Sequence, residues 1–139
     1  MRTTVTIEDE LVGQALALAD TSTWVRHFRD PSTGLGEPLL AGRVAMHPWV
    51  RLEVSLGTPP RRRQTLALMA QLEPLPVATD AELDAFIERR ALRDRGIGLV
   101  DAALLASVLL RPGSRLWTFD KALAELAHEL DCAHEARGH

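Results

Sequence analysis

The sequence predicts one α/β domain built around a mostly parallel β-sheet. From residue 15 onward, short apolar runs alternate with longer segments that have the apolar spacing of amphipathic helices, a rhythm typical of α/β proteins. The length of 139 residues suits a single domain. The composition, 46% hydrophobic and 25% charged, is that of a folded protein with an ample aliphatic core.

Four short apolar runs are predicted as strands, because each has the length of a buried strand and is followed by residues that favour turns or helix starts. They cover residues 16–19, 44–47, 77–78 and 115–118. The first of them, "LALA", is the least typical, since Ala and Leu favour helices by intrinsic propensity. Its assignment as a strand depends on tertiary context.

The segments between the strands are predicted as helices. The clearest start is at residue 80, because Thr79 or Asp80 can cap the helix and Glu82 lies in its first turn, where negative charge is favoured. The predicted helices cover residues 23–28, 36–40, 49–56, 62–72, 80–92, 101–110 and 121–130. Residues 1–14 do not fit this rhythm, so we predict an N-terminal extension over 1–14 and the α/β domain over 15–139.

Charge and cysteine content limit the classes of function. The formal net charge of −3 does not by itself indicate nucleic-acid binding, although "PPRRRQ" concentrates three arginines, Arg61, Arg62 and Arg63. The single cysteine, Cys132, cannot form an internal disulfide. Because the sequence contains neither a long uncharged apolar run nor a signal-peptide pattern, we expect a cytoplasmic protein that makes no membrane contact.

Four acidic residues stand where a purely surface role is hard to explain. Two directly follow predicted strands, one begins an apolar helix after "GIGLV", and one lies within the mainly apolar segment "HPWVRLEVSLG". They are, in that order, Asp20 and Asp120, Asp101, and Glu53. Because ligands of open α/β sheets bind beyond the carboxyl ends of the strands, Asp20 and Asp120 predict a site at that edge.

Burying several carboxylates is costly, and one divalent cation can offset the cost for several of them together. Their hard oxygen atoms suit Mg²⁺ or Mn²⁺. Such an ion can clamp a phosphodiester and activate water, so hydrolysis of nucleic acid is the working hypothesis. The alternative is that Asp20, Asp101 and Asp120 each cap a helix of their own, since Asp is strongly favoured there.

Four motifs, in this order and at these separations, resemble the PIN-domain ribonucleases, and in particular the VapC toxins of bacterial toxin–antitoxin pairs. The motifs are "DTSTWVRHFR", "MHPWVRLEVSLG", "GIGLVDAALLAS" and "RLWTFDKAL". The resemblance implies a three-layer α/β/α sandwich with a central, mostly parallel sheet, assembled as a homodimer. It also implies a metal-dependent endoribonuclease that cleaves structured RNA, such as tRNA or rRNA, and is silenced by a cognate VapB antitoxin.

The same resemblance implies roles for individual residues. The acidic tetrad that holds Mg²⁺ or Mn²⁺ would be Asp20, Glu53, Asp101 and Asp120. Ser22 matches the small hydroxyl residue that supports this site, and Thr118 would orient the last Asp. Arg61, Arg62 and Arg63 are candidates for contacts with the RNA backbone, which would make binding salt-dependent.

The N-terminal extension has a different resemblance. "MRTTVTIEDELVGQALALA" is similar to the start of a ribbon-helix-helix VapB antitoxin, although the second helix that operator binding requires is absent. An extra strand and turn, or a tag, are alternatives. Relatives often have His at the position of Ala103. The extension and Ala103 together keep a second hypothesis open, a catalytically weak or self-inhibited PIN-like interaction module.

Overall fold

The computed structural model describes residues 15–135, and their strands form one parallel sheet. The strands are β1 (Ala17–Ala19), β2 (Val44–Met46), β3 (Glu73–Pro74) and β4 (Arg115–Trp117), in the spatial order β3-β2-β1-β4. Every residue of β1 and β2 is buried. This explains their uniformly apolar sequences, because helices cover both faces of a parallel sheet.

β1 is a strand despite its Ala-Leu composition. Leu18 pairs in register with Ala45 of β2 on one side and with Leu116 of β4 on the other. Leu18 itself is fully buried. The central position between two partner strands therefore outweighs the helix propensity of Ala and Leu.

The third strand is not where the sequence predicted it. The apolar pair at residues 77–78 lies outside the sheet, and Val77 is 52% exposed. The strand is Glu73–Pro74, which pairs with Ala45 and Met46. Because β3 is an edge strand, both of its residues can be exposed and its proline can be tolerated. Backbone pairing with β2, rather than apolar character, decides its position.

The helices follow the predicted rhythm, with bounds that differ by a few residues. They are α1 (Thr21–Arg29), α2 (Gly36–Leu40), α3 (Pro48–Ser55), α4 (Arg62–Gln71), α5 (Asp80–Arg89), α6 (Leu99–Leu110) and α7 (Lys121–Glu129). A 3₁₀ turn, Pro31–Thr33, separates α1 from α2. α6 begins two residues before the predicted start, so Asp101 lies in its first turn and not at its N-cap.

The core lies between the sheet and its flanking helices, and α6 contributes most to it. The stretch of α6 from Ala102 to Val108 is buried without interruption. It joins the buried side chains of β1, β2 and β4 in one hydrophobic cluster. The predicted PIN-like α/β fold with a central parallel sheet is thus confirmed.

The topology brings three chain segments to one edge of the sheet. Parallel strands all finish at the same edge, where Asp20 follows β1, His47 follows β2 and Thr118 follows β4. Within residues 15–135, no helix is long and apolar enough to cross a membrane. The predicted N-terminal extension, residues 1–14, lies outside the described residues.

Candidate active site

Asp20 is the most buried of the four predicted acids. Its side chain is only 4% exposed. One carboxylate oxygen, Oδ1, accepts hydrogen bonds from the Ser22 hydroxyl (2.6 Å), the Thr23 backbone N–H (2.9 Å) and the Thr23 hydroxyl (3.0 Å). The bond from the Thr23 N–H makes Asp20 the N-cap of α1. These bonds fix the carboxylate at the end of β1.

Two hydroxyl groups join Asp20 to the loop that follows β4. Thr118 donates a hydrogen bond to Asp20 Oδ2 and accepts one from the Asp120 N–H at 3.0 Å. Ser22, which donates to Asp20, accepts a hydrogen bond from the Phe119 N–H at 3.1 Å. The two strand ends are therefore tied together by the two residues that the sequence suggested as supports.

Glu53 reaches the same region from α3. Its Oε1 accepts a hydrogen bond from the Thr21 hydroxyl at 2.5 Å, and Thr21 directly follows Asp20 in the chain. Glu53 itself is exposed. α3, the helix that carries Glu53, is capped by His47, whose Nδ1 accepts the Trp49 N–H at 3.0 Å.

Asp101 and Asp120 complete the acidic group. Asp120 is exposed and caps α7 by accepting the Leu123 N–H at 2.9 Å. Asp101 is half-buried in the first turn of α6, where its Oδ2 accepts the Gly98 N–H at 3.3 Å. Burial raises the pKa of Asp101, and repulsion from Asp120, Asp20 and Glu53 raises it further. All three carboxylates therefore act on Asp101 through space.

No basic side chain within residues 15–135 forms an ion pair with any of these four acids. The ion pairs in this part of the chain join other residues, such as Arg43 with Glu37 at 2.8 Å and Arg111 with Glu73 at 3.5 Å. The helix-capping interpretation is correct for Asp20 and Asp120, and Asp101 also accepts the N–H of Gly98, the N-cap residue of α6, but capping does not account for several negative charges without an ion-pair partner.

The chemistry of these donors fits Mg²⁺ or Mn²⁺. All four offer carboxylate oxygens, the ligand type that these hard cations prefer. In the described part of the chain, no three His, Cys, Asp or Glu side chains lie close enough to coordinate one ion directly. Mg²⁺ usually keeps several water molecules and binds through one or two carboxylates. The residues therefore fit an ion held partly through water.

Comparison with known proteins identifies the family. No family model matches the chain. The chain is 44% identical, over 108 residues, to the protein named Ribonuclease VapC32 of Mycobacterium tuberculosis, in both the CDC 1551 / Oshkosh and the ATCC 25618 / H37Rv strains. The aligned residues are 78% of this chain and 87% of each relative. The chain belongs to the VapC ribonuclease family.

Membership of the VapC family confirms the resemblance carried by the four sequence motifs. The second resemblance, of the chain start to a VapB antitoxin, stays a prediction, because all of the stretch that carries it except residues 15–19 lies outside the described residues. The roles of individual residues in this VapC chain also stay predictions, which the geometry above supports to different degrees.

Arg61, Arg62 and Arg63 lie at the start of α4. Arg62 donates hydrogen bonds to the carbonyl oxygens of Ser55 (2.6 Å) and Gly57 (3.2 Å), at the end of the helix that carries Glu53. Arg61 and Arg63 are exposed. The geometry gives Arg62 a structural contact, whereas Arg61 and Arg63 present their guanidinium groups to solvent.

Sequence reasoning missed two hydroxyl residues of this VapC site. Thr21 binds Glu53, and the Thr23 hydroxyl shares its single hydrogen between Asp20 (3.0 Å) and the Trp117 carbonyl (2.8 Å). The run "TST" after Asp20 was an available indication, because three consecutive hydroxyl residues beside a buried acid can satisfy its oxygens.

Proposed function

We propose that this chain is a metal-dependent endoribonuclease that hydrolyses phosphodiester bonds of RNA. One observation carries the proposal: Asp20, Glu53 and Asp120, which come from separate parts of the sequence, all repel the Asp101 carboxylate, and none of the four acids has an ion-pair partner among the described residues. Such an arrangement is unfavourable unless a cation joins it. The two Mycobacterium tuberculosis relatives are also named as ribonucleases.

Asp20, Asp101, Asp120 and Glu53 would hold Mg²⁺ or Mn²⁺ between them. When bound, the ion supplies charge neutralisation for the phosphate and lowers the pKa of a coordinated water. The protein's contribution is orientation. Asp20 is fixed by Ser22, Thr23 and Thr118, so its lone pairs point in set directions before any ligand arrives.

The remaining acids are positioned with different freedom. Asp120 is restrained through its cap bond to α7, and Glu53 through the Thr21 hydroxyl. Both are exposed, so they can meet a substrate phosphate or a water that enters from solvent.

The proposal predicts that Asp101→Asn and Asp20→Asn abolish RNA cleavage. The measurement is cleavage of a generic structured RNA by the purified full chain with added Mn²⁺, together with direct Mn²⁺ binding by electron paramagnetic resonance. Asp84→Asn is the matched control, because Asp84 is an exposed acid on α5. Undiminished cleavage and Mn²⁺ binding in both site variants would exclude the site.

The partners of this activity are part of the proposal. We expect tRNA or rRNA as the substrate class, a cognate VapB-type antitoxin as the inhibitor, and a homodimer as the assembly. Arg61 and Arg63 are available for contacts with the RNA backbone, because both are exposed at the start of α4. A binding constant that weakens steeply with salt would support this role.

A second candidate is the weak or self-inhibited interaction module. It is favoured by the lack, among residues 15–135, of three side chains that could coordinate one ion directly. The deciding measurement compares the full chain with a version lacking residues 1–14, each supplied with Mn²⁺. Inactivity of both forms, with Mn²⁺ binding absent, would favour the interaction module.

A further inference from the structure

A cavity of about 370 Å³ opens beside the acidic group. Its walls come from α1, the turn after α1, and the end of β4. The residues that matter for its chemistry are Arg26, Asp30, Trp117, Thr118, Phe119 and His134. None of them belongs to the acidic tetrad, so the cavity is a neighbouring site.

Thr118 connects this cavity directly to the candidate active site. The residue lines the cavity and donates a hydrogen bond to Asp20. The next residue, Phe119, has its N–H bonded to Ser22, which also donates to Asp20. A group bound in the cavity would therefore lie next to Thr118, whose hydroxyl is bonded to the Asp20 carboxylate.

The cavity offers aromatic and guanidinium surfaces. Phe119 is 42% exposed, although it stands between two site residues. The Arg26 guanidinium lies over its ring, with the guanidinium carbon 4.1 Å from the ring centroid. Deeper in, His134 stacks on Trp117 with ring centroids 4.2 Å apart and planes inclined by 22°. Trp117 is buried, so the exposed flat groups are the Phe119 ring and the Arg26 guanidinium, and unpaired bases of RNA stack on groups of these two kinds.

The charges at the mouth of the cavity suit a nucleotide. Arg26 supplies a positive charge next to a strongly acidic centre, where an RNA phosphate would otherwise meet only repulsion. Asp30 also lines the cavity, and its Oδ1 accepts the Ser32 N–H at 3.0 Å. The cavity lining can thus offer hydrogen-bond donors from Arg26 and an acceptor from Asp30 to the edge of a base.

We propose that this cavity receives an unpaired nucleobase of the RNA, adjacent to the phosphate that is cleaved. The inference rests on the proposed function for its ligand, and it assigns Phe119 and Arg26 as the residues that position the strand. Stacking would hold one nucleotide so that its neighbouring phosphate faces Asp20 and Asp101. Because the base must leave a helix to enter, the site selects loops and single strands.

The test is a binding cycle that needs no cleavage. The full-length Asp101→Asn protein is titrated with short single-stranded RNAs of mixed sequence, each carrying one abasic site at a different position. Removal of one particular base should weaken binding about tenfold, the size of one base–aromatic stacking contact. With intact RNA, the Phe119→Leu variant should bind more weakly by the same factor. An abasic site at that particular position should not weaken RNA binding by this variant any further.

Two matched variants separate stacking from general effects. Phe119→Tyr keeps the ring and should keep the abasic effect. Arg26→Gln should weaken binding and reduce that effect, whereas Arg29→Gln removes the same charge from the same exposed side of α1 without touching the cavity and should preserve it. Circular dichroism of Phe119→Leu checks that the exposed substitution leaves the fold intact.

Three results would overturn the proposal. An abasic site weakens RNA binding at no position, the protein binds no RNA, or an abasic site weakens RNA binding by Phe119→Leu as much as it does with Phe119 present. Failure of the nuclease proposal gives a different result. In that case the wild-type chain with Mn²⁺ cleaves nothing, while the abasic effect and its dependence on Phe119 remain.

Discussion

Asp101 is held where its charge works against folding. The carboxylate is half-buried and faces three other acids, and both effects raise its pKa, whereas the hydrogen bond from Gly98 lowers it. A carboxyl group whose folded pKa is raised destabilises the fold when it is ionised, at pH values above that folded pKa. The role in metal binding that we propose for Asp101 would account for this cost, because active-site groups commonly trade stability for activity.

Asp101→Asn should therefore stabilise the metal-free protein while abolishing cleavage. Asn keeps an oxygen that can accept the Gly98 N–H, but it removes the repelled charge. In EDTA at pH 7, we expect the free energy of unfolding to increase by about 0.5–2 kcal/mol, the usual size of such a gain. Urea denaturation measures it, and Asp84→Asn, exposed on α5, should change it by less than about 0.5 kcal/mol. A destabilised Asp101→Asn protein would contradict this account.

The acids of the site could be recognised from sequence, but their partners could not. Asp20 and Asp120 stand out because each follows an apolar strand-like run, and Asp101 and Glu53 because their neighbours are apolar. The bond from Thr21 to Glu53 spans 32 positions, so it exists only because α1 and α3 meet at the edge of the sheet. Local sequence does not determine such a pair.

At the scale of elements, one carboxylate can serve a helix and a site together. Asp120 caps α7 through the Leu123 N–H with one oxygen, Oδ1, and leaves the other free. Capping and metal binding, which the sequence presented as alternatives, are therefore compatible. Asp20 likewise caps α1 through Oδ1, while its Oδ2 accepts the Thr118 hydroxyl.

Two substitutions at Asp120 should separate these roles. Asn caps a helix about as well as Asp, so Asp120→Asn should leave the free energy of unfolding within about 0.5 kcal/mol of wild type while cleavage is lost. Asp120→Ala should lose cleavage and also about 1 kcal/mol of stability, because the Leu123 N–H loses its acceptor. Thermal unfolding and RNA cleavage are measured on both. Equal stability of the two variants would show that the cap bond contributes nothing.

The elements differ in how far local sequence specifies them. α5 begins where predicted, because Thr79 and Glu82 form a capping box that depends only on nearby residues. β3 was placed wrongly, since an edge strand is fixed by the backbone of its neighbour and its residues need not be apolar. Boundaries set by local chemistry can be predicted, and those set by pairing cannot.

At the scale of the whole molecule, the fold buries imidazoles as well as carboxylates. Burial, together with repulsion from Arg115 and Arg43, lowers the pKa of His134 to about 4. Burial also lowers the pKa of His47, which is fully buried and accepts the Trp49 N–H. The fold therefore favours the neutral form of both imidazole rings.

The contribution of His134 to the stability of the domain should consequently fall as the pH drops from about 6.5 to about 4, while protonation of Asp101, whose pKa is raised, acts in the opposite direction. Over this interval the unfolded chain binds protons on His134 that the folded chain does not, so the free energy of unfolding decreases with falling pH. The shift in pKa corresponds to a loss on the order of 3 kcal/mol from His134. Below pH 4 this contribution stops changing, because both states are then protonated.

His134→Phe isolates the effect, because a phenyl ring can keep the stack on Trp117 and cannot take up a proton. Urea denaturation of wild type and variant between pH 7 and pH 4 should give a steep loss for the wild type and a shallower one for the variant. A residual slope is expected from His47, whose neutral form is also required. Parallel curves for the two proteins would mean that His134 takes up its proton equally well in the folded and unfolded chains. The buried, stacked position of the His134 ring would then not control the acid stability of the domain.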